Sequence, residues 1–197
     1  EYWTGIQLRS DFPGGKMEIA QYYEKTGNPS LAEQAYVRDV ELDSYYNPAR
    51  VNLAGLYYGQ GRFNEAEKLF KKVIEMEPEF GQAYYSLGLL YAEQNKMLEA
   101  VQYLKSATEK IDYNDRVAYN YGLVLQQLGK RAEAEDAFKT GLKINPFSES
   151  NLYALGYLYF EQKRFKEARQ VLEQLVQVAP DNQQYQQLLQ GVMQENQ

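Results

Sequence analysis

Along this chain the apolar positions return in register every 34 residues. An alanine column sets the period: Ala32, Ala66, Ala100, Ala134 and Ala168. Twelve residues before each alanine stands another small residue (Ala20, Ala54, Gly88, Gly122, Gly156), and directly before that a large one (Ile19, Leu53, Leu87, Tyr121, Leu155). Three residues after the small one come Tyr23, Tyr57, Tyr91, Leu125 and Tyr159, and four after the alanine come Tyr36, Phe70, Leu104, Phe138 and Leu172. No insertion breaks the phase. Leu87, Gly88 and Tyr91 share one helical face, the i, i+3, i+4 stripe of an amphipathic helix, so each period predicts helices and not strands.

Within each period the pattern predicts two helices joined by a turn. Gly27, Gly61 and Gly129 occupy that turn, with Asn95 and Lys163 in the remaining copies. Gly and Asn accept the left-handed backbone that a helix C-terminus requires. Pro78, Pro146 and Pro180 then close second helices, while Ser44 and Asp112 stand at that place in the first and third copies. Helices approach closely only where facing side chains are small, so the Ala/Gly column is expected to meet the Ala column.

These columns resemble the tetratricopeptide repeat family, whose unit is a helix–turn–helix of about 34 residues. The resemblance implies an all-α fold, a right-handed αα superhelix of stacked hairpins. It places repeats at 13–46, 47–80, 81–114, 115–148 and 149–182. Residues 183–197 read as a capping helix and tail, with Tyr185, Leu188, Leu189 and Met193 set among glutamines. A terminal unit needs such a soluble outer face. Residues 1–12 read as the second half of a preceding helix, because Tyr2 to Leu8 aligns in register with Phe138 to Ile144. The expectation is that the array, or a helical lead-in, extends before Glu1.

Composition narrows the chemistry. With 44% hydrophobic residues the chain of 197 can bury a core, and its net charge of −6 argues against a nucleic-acid partner. There is no cysteine and no histidine. Thiolate nucleophiles, thiolate or imidazole zinc sites and histidine acid–base catalysis are thereby removed. No apolar run reaches the ~18–20 residues of a membrane span, so no insertion is expected. The lack of cysteine, with 19 tyrosines and many glutamines, is compatible with a bacterial exported or periplasmic protein.

No motif argues for catalysis, a cofactor or a metal. Gly59-Gln60-Gly61 resembles the start of a dinucleotide loop but lacks the third glycine and lies between helices. Glu65/Glu67 and Glu133/Glu135/Asp136 lie early in second helices, where carboxylates favour the positive end of the dipole and are expected to face water.

Opposite the packing stripe, the first helices carry a second apolar stripe. It comprises Val51, Tyr58, Tyr85, Leu89, Tyr119, Leu123, Tyr153, Tyr157 and Phe160, with Asn52, Ser86 and Asn120 one residue beyond Val51, Tyr85 and Tyr119. An apolar stripe of this kind is either buried between neighbours or offered as a surface. The resemblance implies that it lines a concave groove where a protein or peptide ligand is held, the amides bonding its backbone. It also tests one subclass, the basic clamp that grips a terminal carboxylate. The matching positions hold Met17, Gln21, Asn52, Gln82 and Ser86, or in the next register Val51, Gly55, Ser86, Arg116 and Asn120, so that clamp is absent.

The leading expectation is a non-enzymatic interaction scaffold for an apolar or aromatic segment. The alternative is an accessory arm of a larger bacterial enzyme or multi-haem electron-transfer protein. Leu87 to Leu90 and Tyr119 to Leu123 loosely resemble the repeat tails of some multi-haem cytochromes. Self-association through the groove or the N-terminal helix is a third possibility.

Overall fold

The computed structural model describes residues 15–195. The predicted segment 1–12 lies outside them. Among the described residues the chain is helical throughout, with eleven α-helices and no strand. In order these are α1 Gly15–Lys25, α2 Pro29–Leu42, α3 Asn47–Gly59, α4 Phe63–Met76, α5 Gly81–Glu93, α6 Met97–Lys110, α7 Asp115–Gln127, α8 Arg131–Ile144, α9 Glu149–Glu161, α10 Phe165–Val178 and α11 Gln183–Glu195. They fit five helical hairpins followed by one terminal helix.

The turn inside each hairpin has one backbone solution in all five copies. Gly27, Gly61 and Gly129 sit at φ 74°, and Asn95 and Lys163 follow at 59° and 58°. An L side chain costs energy there, and Asn least among them, which explains four of the five residues of this column and leaves Lys163 to bear the cost. The residue after the turn residue donates its backbone N–H across the corner, as Arg62 does to Tyr57 O and Arg164 to Tyr159 O, both at 2.9 Å. At the far end of α4, α8 and α10 a prolyl ring stands one residue beyond the cap and stops the helix.

Two compact units divide the chain, Glu1–Leu90 and Tyr91–Gln197. In the first, α1 packs on α2, α2 on α3 and α3 on α4. Its interior holds Ala20, Ala32, Tyr36, Leu53, Ala54, Ala66 and Phe70, all buried. A charged group also lies inside: Arg50 donates to Asn47 Oδ1 at 3.0 Å and to the Ser44 carbonyl at 2.8 Å, tying the loop before α3 to the helix. Burial lowers the pKa of its guanidinium.

In the second unit α7 packs on α8, α9 on α10, α10 on α11, and the first helices α7 and α9 touch directly. The core runs through Leu125, Phe138, Leu152, Leu155, Leu158, Leu172 and Leu175 to Val192 of α11, which is fully buried. Here two members of the small column, Gly122 and Gly156, also make a contact that was not expected. A methyl group on Gly122 would lie 2.4 Å from the Phe138 ring, and one on Gly156 would lie 2.6 Å from Leu172. These glycines therefore clear room for the large residue four beyond the alanine. Shape complementarity across the hairpin drives this: a bulky side chain fits where its partner helix has none.

Candidate docking face

In the first unit, Val51, Asn52 and Tyr58 of α3 and Tyr85, Ser86 and Leu89 of α5 are all half-buried. The Tyr58 ring leans on Phe63, with centroids 5.7 Å apart. Gln82 Nε2 donates to Ser86 Oγ at 3.2 Å, so that hydroxyl is already engaged within its helix. Gly55 stands on the stripe between Val51 and Tyr58 with open space beside it.

In the second unit the predicted residues divide into two groups. Tyr119 and Leu123 of α7 and Phe160 of α9 are half-buried and rest on the core, Tyr119 with its ring 6.3 Å from that of Phe138. Tyr153 and Tyr157 stay outside, 39% and 38% exposed, their rings stacked at 6.1 Å and 18°. Asn120 is half-buried on α7.

Two aromatic residues absent from the sequence-based set extend this surface. Tyr185 of α11 lies 5.7 Å from Tyr153, and Phe165 of α10 lies 6.2 Å from Phe160. With the Tyr157–Phe160 contact at 6.4 Å, the series Tyr185, Tyr153, Tyr157, Phe160, Phe165 is continuous. Tilted and offset pairs at these separations suit the ring quadrupoles and leave faces open to a ligand. Tyr185 Oη donates to Glu149 Oε2 at 3.5 Å. Burial pushes the Tyr185 hydroxyl up, and the neighbouring Glu149 carboxylate adds to it. The signal for Tyr185 was present in the repeat: its column otherwise holds Ala49, Ala83, Val117 and Asn151, so the terminal copy places a ring where the others are smaller.

Glu135 does not face water as expected of the acidic clusters. Its side chain keeps 14% exposure and accepts from Tyr159 Oη at 2.9 Å, Arg164 at 2.5 Å and Lys139 at 2.6 Å. Those donors, Arg164 foremost, hold its carboxyl down at about 2. The first unit contains the same clasp: Tyr57 Oη donates to Glu33 at 2.9 Å and Arg62 to Glu33 at 2.8 Å. Arg62 lies 3.8 Å over the Tyr57 ring and Arg164 lies 4.2 Å over Tyr159. Glu65, by contrast, is exposed and pairs with Arg62 within its own turn.

A concavity in this unit, about 260 Å³, is lined by Thr108, Ala118, Tyr121, Glu133, Asp136, Ala137 and Thr140, none of them a predicted groove residue. Among the described residues no group of acidic side chains is arranged to hold a metal ion, and no helix is long and apolar enough to cross a membrane.

The profile of the tetratricopeptide repeat matches this chain twice, over residues 51–115 and 127–191. No curated protein matches it in sequence. Among solved structures it is similar to YrrB, described as a TPR protein with an unusual peptide-binding site, at 20% identity and TM-score 0.71 over 98% of this chain and 97% of that one. It is similar also to pilF of Pseudomonas aeruginosa, at 22% identity and TM-score 0.81 over 98% and 87%. MamA from Desulfovibrio magneticus RS-1 matches at 15% identity and TM-score 0.74 over 85% and 95%. At such identities the likeness is one of fold.

Proposed function

This chain belongs to the tetratricopeptide repeat family, and we propose that it works as a non-enzymatic scaffold that holds an apolar or aromatic peptide segment against the first helices of its second unit. Members of the family are protein-interaction scaffolds in general, and the finer statement concerns what docks and where. The observation that carries it is the open aromatic series on α9, with Tyr153 and Tyr157 stacked and more than a third exposed beside half-buried Leu123 and Phe160.

The chemistry is that of a contact surface. Burying apolar area releases roughly 25 cal/mol per Å² before the costs of association are subtracted. Rigid aromatic anchors are the usual energetic centres of such surfaces, because two χ angles present a large area at small entropic cost. Asn120 lies on α7 one residue from Tyr119, where an amide can meet a ligand's backbone. YrrB, a TPR protein with a peptide-binding site, shares this fold and supports this use of it.

The test is selection of peptides from a random display library on the immobilised chain. Affinity of the selected peptide is then measured for the wild type and for a Leu123→Asp, Tyr157→Asp double variant. Loss of at least about tenfold, or 1.4 kcal/mol, with helicity unchanged supports the reading. Equal affinity for both proteins removes this face from consideration.

A further inference from the structure

Among the described residues two places hold the same three-part arrangement, in which a tyrosine hydroxyl bonds a glutamate and an arginine both stacks on the ring and pairs with that glutamate. These are Tyr57, Glu33 and Arg62 in the first unit, and Tyr159, Glu135 and Arg164 in the second. A further tyrosine–glutamate pair lies on the docking face of the second unit: Tyr185 Oη donates to Glu149 Oε2, with the Tyr153 ring 5.7 Å from Tyr185. Among the described residues no guanidinium completes this pair. Among the described residues Glu149 makes no ion pair, and no cation stacks on Tyr153 or Tyr185. Unlike the similar Tyr36–Glu24 pair, whose ring is 1% exposed, this one is open: Glu149 is exposed and Tyr153 is 39% exposed.

We propose that Glu149, Tyr153 and Tyr185 form a site for one arginine side chain of a docked peptide. The guanidinium lies over a tyrosine face, where the ring quadrupole attracts it, and shares its N–H groups with the Glu149 carboxylate. Arginine suits the place better than lysine because its planar group stacks and forks at once. The inference rests on the reading of this face as a docking surface and adds a charge to it. Glu149, Tyr153 and Tyr157 follow at i, i+4 and i+8 on α9, so ~12 Å separates the carboxylate from the far ring. An extended peptide covers that span in three to four residues at ~3.3 Å each. The ligand is therefore an arginine with an apolar residue about three positions away.

The experiment is isothermal titration of the full chain with acetyl-Leu-Ala-Ala-Arg-Ala-Ala-Leu-amide and with its twin carrying neutral, isosteric citrulline in place of arginine. The wild type is expected to prefer the arginine peptide by roughly five- to tenfold. Glu149→Gln, with helicity checked by circular dichroism, is expected to bind both alike. Equal binding of the two peptides by the wild type overturns the arginine site while leaving the docking face in place. Preference that survives in Glu149→Gln also overturns it, since the cation is then held elsewhere. Binding of neither peptide at millimolar concentration overturns it as well. The Leu123→Asp, Tyr157→Asp comparison with library-selected peptides then reports separately on the face itself.

Discussion

Single glycines in this fold have opposite tolerances, and the difference lies in what a side chain would meet. Gly122 faces the Phe138 ring, 2.4 Å from where a Cβ would stand. Gly122→Val is expected to destabilise the protein by about 2–3 kcal/mol through overpacking, read from the denaturant midpoint. Gly55, inside α3, meets nothing within 4 Å. Gly55→Ala is expected to stabilise by up to ~1 kcal/mol, because alanine loses less backbone entropy in a helix. Glu135 supplies a pH signature at the same scale. Its carboxyl is held at about 2 against an ordinary value near 4.5. A depressed acid contributes stability that is complete above 4.5 and is lost as pH falls toward 2. Thermal melts across that window should therefore fall more steeply for the wild type than for Glu135→Gln. Equal slopes would show that the clasp contributes nothing to folding.

At the scale of the helix pair, much of the architecture was legible because each column has one physical cause. The left-handed turn favours Gly or Asn, which hold it in four copies of five, and the 34-residue phase implies helices paired as hairpins. Contacts between hairpins were less legible. Glu33 meets Tyr57 and Glu135 meets Tyr159 across 24 residues, and both arginines sit 29 from their glutamate. The burial of Glu135 was missed because an acid in the first turn of a helix has a sufficient local explanation in the dipole. The seats of Phe138 and Leu172 over Gly122 and Gly156 were missed because two small residues at a crossing satisfy sterics as readily as one glycine beneath a bulky side chain. The terminal helix tests the packing at this scale. Val192 is fully buried, so Val192→Asp is expected to weaken the second unit by on the order of 3 kcal/mol and to expose α11 to rapid hydrogen exchange. Retained protection in α11 would mean that this helix is held by something other than its apolar stripe.

For the molecule as a whole, a repeat fold specifies surfaces and leaves function to what docks on them. The apolar stripe on the first helices was visible in the sequence, yet periodicity alone could not apportion its rings between core and surface. In the second unit Tyr119 turns onto Phe138, while Tyr153 and Tyr157 stack in the open and are joined by Tyr185 from the terminal helix. That last contact brings together residues 32 apart in different helices, and only the packing of α11 creates it. The most direct measurement is a crystal structure of the chain with a library-selected peptide. The account predicts the peptide lying across Tyr153 and Tyr157, with Leu123 beneath it. A peptide seated instead in the cleft of Thr108, Tyr121 and Asp136, with both tyrosines bare, would contradict it.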